Sequence, residues 1–430
     1  MRDAETTLVI IQARGRDGLH MEDVYRRLFN PDLYLRAYGR ISRNAGALTQ
    51  GVTGDTADGM SLERIGALIE DIRHERYRWT PVRRILIPKA NRKMRPLGIP
   101  TWSDKLLQEV MRSILEAYYE PQFSDHSHGF RPGLGCDTAL QDISQHWKGT
   151  KWFIEGDIKG CFDNIDHQIL LSILREKLHD NRFLRLVETM LGAGYLERWD
   201  YRPTLSGTPQ GGIISPLLAN IYLDRLDRHV ETTISPAYNR GGKKRLNPEY
   251  VRLCKRRSLA KEKGDMATYR ELGRTLSGMA TQVAYDPAYR RLKYVRYADD
   301  FLLGFHGPES EAETIKGRIG DFLRDHLKLE LSPEKTLITP ASEFALCVTR
   351  MSWRFWLRAL SRSINFSETN ALSRSSSGWS TMSGYSASRR IRGSSAVAIC
   401  PLESCSMGLA SPRTSMVISR LSSGTIVSSS

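Results

Sequence analysis

Apolar and polar positions follow two rhythms in this chain, and the switches between them mark its elements. From Met21 to Arg43 apolar residues recur at helical spacing with charges on one side. Thr49 to Asp58 is a Gly/Thr/Asp loop, and Met60-Ser61-Leu62-Glu63-Arg64-Ile65 opens another helix. Between Arg83 and Ile99 the period shortens to two. Ile85 and Ile87 fall two apart with Leu86 between them, and Ala90-Asn91-Arg92-Lys93 makes a turn, which predicts a β-hairpin. Asp104 to Tyr118 returns to the helical period, with Leu107, Val110, Met111, Ile114 and Tyr118 as a core stripe. Ser215-Pro216 starts a helix whose buried face is Leu218, Ile221, Tyr222, Leu226 and Val230. Residues 239–291 are mostly polar and hold basic clusters.

Three short β-prone runs end at or flank carboxylates. Lys151-Trp152-Phe153-Ile154 leads into Glu155-Gly156-Asp157. Leu292 to Tyr297 and Phe301 to Phe305 flank Tyr297-Ala298-Asp299-Asp300. The pattern is strand, tight turn, strand, with the acids at the turn. Such a hairpin tip can be merely polar, since Asp is common in turns. It can also help hold two divalent ions for nucleotide addition, one activating the attacking hydroxyl and one steadying the leaving pyrophosphate.

The remaining motifs give the acids a context. In order they are Asn44 to Val52, Arg84-Ile85-Leu86-Ile87-Pro88-Lys89, Arg95-Pro96-Leu97-Gly98-Ile99-Pro100 and Ser127-His128-Gly129-Phe130-Arg131-Pro132-Gly133. After the first Asp motif come Gly207-Thr208-Pro209-Gln210-Gly211-Gly212 with Ile213 to Asn220, the Asp pair, and Leu329-Glu330-Leu331-Ser332-Pro333-Glu334-Lys335-Thr336. In this order and spacing the chain resembles a bacterial group II intron reverse transcriptase/maturase from about Leu28 to about Ala345.

The resemblance implies an α+β right-hand polymerase: a leader (1–27), an N-terminal extension with fingers (28–150), and a palm with an antiparallel sheet (151–345) carrying a basic insertion (239–291). It implies RNA-directed DNA synthesis, in which a primer 3′-hydroxyl attacks a dNTP, with two Mg²⁺ ions for which Mn²⁺ can substitute. Asp157, Asp299 and Asp300 would be the catalytic metal ligands. Phe162, five residues after Asp157, would be the wall that excludes a 2′-hydroxyl. Lys89 and Arg95 would lie over the triphosphate, and Gln210 near the sugar. Arg131 would touch template or nucleotide. Lys243, Lys244, Arg245, Lys255, Arg256 and Arg257 would meet RNA phosphates. The expected partners are the intron RNA template, the DNA target or primer, and dNTPs. The other readings are a non-polymerising maturase that only helps the intron fold and splice, an inactive remnant, and a bacterial reverse transcriptase with a role outside introns. Asp163 and Asp166 match no ligand position and are expected as turn and cap residues.

Composition adjusts this picture. The 430 residues carry a net charge of +15 and a pI near 9.6, which suits a polyanionic partner. From Met351 to Ser430 there are 24 serines, nine arginines, two glutamates, and no Asp or Lys. That segment therefore supplies +7 of the +15, and +8 remains for the body. It lacks sustained periodicity and resembles translation in a shifted frame. The expectation is a disordered, non-homologous tail from 346, with the thumb missing or degenerate. The six cysteines show no metal or disulfide spacing, which suggests reduced thiols in the cytoplasm. Leu8-Val9-Ile10-Ile11 is too short for a targeting core, and no run approaches membrane-spanning length.

Overall fold

The computed structural model describes residues 3–343, apart from 45, 89–93, 198–199, 205, 209–210 and 284–285. The tail from 346 and the expected loss of the thumb lie outside the described residues.

The strands are β1 (Val82–Pro88), β2 (Met94–Ile99), β3 (Trp152–Asp157), β4 (Tyr195–Glu197), β5 (Asp200–Arg202), β6 (Arg291–Tyr297), β7 (Asp300–His306) and β8 (Ile338–Pro340). They form two sheets, ordered β2-β1-β4-β5 and β6-β7-β3-β8. The first contains the expected hairpin, paired from Arg83 opposite Ile99 to Pro88 opposite Met94, and β4 runs parallel to β1. The second sheet is antiparallel at every pairing.

The helices of nine residues or more are α1 (Ala4–Arg16), α2 (Pro31–Ile41), α3 (Leu62–Arg73), α4 (Trp102–Tyr119), α5 (Cys136–His146), α6 (His167–Arg175), α7 (Asn181–Leu191), α8 (Ser215–His229), α9 (Pro248–Glu262), α10 (Met266–Ser277) and α11 (Glu309–Leu327). Period-two alternation covers both faces of the second sheet. Ile154, Tyr294, Leu303 and Phe305 join the main core with α4, α8 and α11, while Phe153, Val295 and Leu302 pack with Ala139, Leu140, Ile143 and Trp147 around α5. The α4 stripe is wholly buried, as its spacing predicts. Thr101 caps the helix by accepting from the Asp104 N–H at 3.3 Å.

Three stretches depart from the sequence expectation. The expected leader is built into the core: Asp3 caps α1, and a Cβ at Gly15 would stand 2.1 Å from the Tyr118 carbonyl of α4. The helical pattern from Met21 to Arg43 is broken at Asn30-Pro31, because proline cannot continue a helix but suits its first turn, and Asn30 caps α2. The polar stretch 239–291 folds mainly as the α9–α10 hairpin, held by a small satellite core of Leu253, Leu272 and Leu276.

Candidate active site

β3 and β7 are neighbours in register, with Asp157 directly opposite Asp300. Asp299 precedes Asp300 in the turn from β6, and its carbonyl accepts from Ile158 N–H at 3.4 Å. Glycine makes this junction possible. A Cβ at Gly156 would fall 2.0 Å from the Phe301 ring, which packs behind the pair.

The Leu329 to Thr336 motif runs beside Asp157. Lys159 N–H donates to Glu330 O at 2.9 Å, and Ser332 N–H to Asp157 O at 2.8 Å. The turn that follows carries Lys335 back over the acids, where its Nζ donates to Asp157 Oδ1 at 2.7 Å. That hydrogen bond, with the fields of Asp157, Asp300 and Asp299, raises the Lys335 ammonium above the ordinary lysine value against partial burial. Lys335 stood in a motif but carried no expected role. Two residues before Asp157, burial pushes the Glu155 carboxyl up to about 7, opposed by the Thr339 hydroxyl.

Among the described residues no three His, Cys, Asp or Glu side chains stand close enough to grip a metal ion as they are. The donor set nonetheless fits one. It offers hard oxygens from two adjacent strand ends, one of which already bonds the Lys335 ammonium.

Behind the acidic turn lies a polar network the sequence did not reveal. Arg296 of β6 and Asp227 of α8 are both fully buried. The guanidinium reaches Asp227 through Nε at 2.8 Å and Nη2 at 2.6 Å. It also donates to Asn220 Oδ1 at 3.1 Å, Ser127 Oγ at 2.8 Å and the Ala298 carbonyl at 2.8 Å. Tyr294 donates to Asp227 Oδ1 at 2.7 Å. Burial alone would depress the arginine's pKa; Asp227 more than offsets it, and the result lies above the ordinary value. Ala298 needs this support, because its φ of +56° places a non-glycine residue in the left-handed region immediately before Asp299.

Phe162 is half-buried after a left-handed turn at Gly160, packed against the main core. The 206–208 loop ties to it: Thr208 N–H donates to Phe162 O at 2.7 Å, and Gly207 N–H to Ile165 O at 2.8 Å. Gln210 and Lys89 lie outside the described residues. Arg95 stands in β2 opposite Ile87. The glycine after Gln210 is described: Gly211 has φ +111°, and a Cβ there would stand 2.4 Å from Gly98 O of β2. Gln108 of α4, which carried no expected role, accepts from Ile213 N–H at 2.9 Å and pins the far side of that turn. Asp166 caps α6 by accepting from Ile169 N–H at 2.9 Å.

Two expected nucleic-acid contacts are turned inward. The Arg131 side chain is 6% exposed. It bonds Glu120 and the carbonyls of Ser124 and Ser127, so it holds its own loop rather than facing a ligand. The Arg257 guanidinium lies 4.3 Å over the Tyr269 ring, between the insertion helices. Lys243, Arg245, Lys255 and Arg256 are exposed on the insertion, and Lys244 is half-buried.

A model of the family "Reverse transcriptase (RNA-dependent DNA polymerase)" matches residues 87–347, and the chain belongs to that family. Within it, the chain belongs with the group II intron reverse transcriptase/maturase family, being 47% identical over 331 residues to the group II intron-encoded protein LtrA of Lactococcus lactis subsp. cremoris. That match covers 74% of this chain and 55% of the Lactococcus protein. It is also similar to a 91 kDa protein in the cob intron of Schizosaccharomyces pombe, 40% identical over 73% of this chain and 39% of that one. Protein YkfC of Escherichia coli is 31% identical over 75% of this chain and 80% of its own length. The chain thus spans about half, or less, of the first two relatives. No described helix is long and apolar enough to cross a membrane.

Proposed function

We propose that this chain catalyses RNA-directed DNA synthesis for a group II intron, adding dNTPs to a primer 3′-hydroxyl on an RNA template. The observation that carries this reading is the in-register pair Asp157 and Asp300, with Asp299 beside them in the turn and Lys335 Nζ 2.7 Å from Asp157 Oδ1. We assign the first sheet to the fingers and the second to the palm. Asp157, Asp299 and Asp300 would hold divalent magnesium. When bound, the ions would supply activation of the 3′-hydroxyl and charge neutralisation at the leaving pyrophosphate. Lys335 holds the Asp157 carboxylate in place until then. On this reading Lys89 and Arg95 offset triphosphate charge, and Gln210 bonds near the sugar. The partners on this reading are intron RNA, its DNA target and dNTPs.

The test is extension of a DNA primer on an RNA template with dNTPs and Mg²⁺. Incorporation supports the reading. Tight intron RNA binding with no incorporation in Mg²⁺ or Mn²⁺ would overturn it in favour of a splicing factor that does not polymerise.

Two further outcomes are expected. Phe162→Val should lower the dNTP/rNTP ratio of kcat/KM much more than the dNTP rate itself, because the clash it relieves is steric. An unchanged ratio would leave Phe162 a core residue only. Neutralising Lys243, Lys244, Arg245, Lys255 and Arg256 should weaken RNA binding and flatten its salt dependence, by roughly 0.7 to 0.9 in log–log slope per lost phosphate contact. Arg257 is left out because its guanidinium is packed on Tyr269. A slope that does not change would make the insertion a solvated excursion.

A further inference from the structure

Phe130 combines two features that folding alone disfavours. It is a large aromatic left 53% exposed, and its φ of +58° lies in the left-handed region where glycine or asparagine would sit at lower cost. The loop that carries it is pinned from several sides. A Cβ at Gly129 would stand 2.3 Å from Ala298 N, so the backbone before Phe130 lies directly on the acidic turn. Asn220 Nδ2 donates to Gly129 O at 2.7 Å. His128 N–H donates to Arg296 O at 2.8 Å. On the other side, Arg131 clamps Ser127 O at 2.7 Å and Ser124 O at 2.6 Å. These contacts over-determine the loop, and their result is one exposed ring. That ring meets Phe162 edge to face, with centroids 6.3 Å apart and planes at 81°.

We propose that Phe130 is a positioning residue for substrate selection: its ring braces Phe162 and fixes the wall that a ribonucleotide 2′-hydroxyl would strike. The inference rests on the proposed role of Phe162. It also accounts for the inward turn of Arg131, whose clamp holds Phe130 in its strained backbone. A half-buried ring without a bracing neighbour can tilt away from a 2′-hydroxyl. An edge-to-face neighbour removes that freedom, so a rigid wall needs the second aromatic.

The experiment compares Phe130→Gly, Phe130→Tyr, Phe162→Val and the double variant Phe130→Gly/Phe162→Val in primer extension with dNTPs and rNTPs. Urea unfolding of each variant is measured alongside. Glycine tolerates the positive φ and removes only the ring, so the Phe130→Gly unfolding midpoint should move little. Its dNTP/rNTP ratio should fall roughly two- to tenfold, the range expected for losing one aromatic pair. Phe130→Tyr should keep the ratio. The double variant should lose no more selectivity than Phe162→Val alone, since both changes remove one wall. An unchanged ratio in Phe130→Gly, or full additivity in the double variant, overturns the proposal. If Phe162→Val lowers the ratio in the same series, the role of Phe162 survives that failure. If Phe162→Val also leaves the ratio unchanged while extension persists, the proposed wall falls with its brace.

Discussion

Asp299→Asn abolishes primer extension on an RNA template and leaves RNA binding nearly intact; Asp157→Asn does the same. Each change keeps the side chain's shape and removes one negative charge from the set proposed to hold the divalent ions. The loss falls on charge stabilisation during phosphoryl transfer, worth several kcal/mol, on the order of a thousandfold or more in rate. The main-chain carbonyl of Asp299 makes the bond to Ile158, and an amide side chain leaves that bond untouched. Asp157→Asn, in contrast, also weakens the partner of Lys335 Nζ, so it loosens the 332–336 turn as well as the carboxylate set. Single-nucleotide incorporation, read beside RNA affinity, decides the matter. Near-normal incorporation by either variant would refute the assignment of these acids.

The acidic hairpin was legible because two local signals coincide there. Period-two patterning fixes the strands on both sides, and a turn between them leaves no freedom about where Asp299 and Asp300 lie. The α4 stripe was legible for the same reason, since a helical period needs no knowledge of distant chain. What was missed depends on distance in sequence. Arg131 looked like an available cation because its partners Glu120, Ser124 and Ser127 declare themselves only once the loop closes. Asp227 sits beside the apolar stripe of α8 and would pass for a solvated residue at the stripe's edge. Its partner Arg296 lies 69 positions away and would pass for the polar alternate of a strand. The α9–α10 hairpin was hidden because it closes over few apolar residues, Leu253, Leu272 and Leu276 at its centre, too few for a visible stripe. The roles of Lys335 and Gln108 were missed because one depends on the return of a turn to β3 and the other on an unlike partner 105 residues away.

Arg296→Met unfolds the site from behind, and this is the largest stability loss expected of a single substitution here. Arg296 and Asp227 have no solvent exposure, so removing the guanidinium strands a carboxylate in the core. Breaking a buried pair in this way costs about 3–5 kcal/mol, because the remaining charge is left uncompensated. The same substitution removes donors from Ser127 Oγ, Asn220 Oδ1 and the Ala298 carbonyl. The Ala298 carbonyl matters most for function. Ala298 holds a left-handed backbone just before Asp299, and without Arg296 nothing described bonds that carbonyl in its place. Pairing the change with Asp227→Leu removes the stranded charge and should recover part of the stability in urea unfolding. It should not recover extension, since the turn stays unsupported and Tyr294 loses its acceptor. Stability and activity are therefore expected to separate in the double variant. If Arg296→Met unfolds within about 1 kcal/mol of the parent, a value more typical of an ordinary substitution, the network is not what holds the acidic turn.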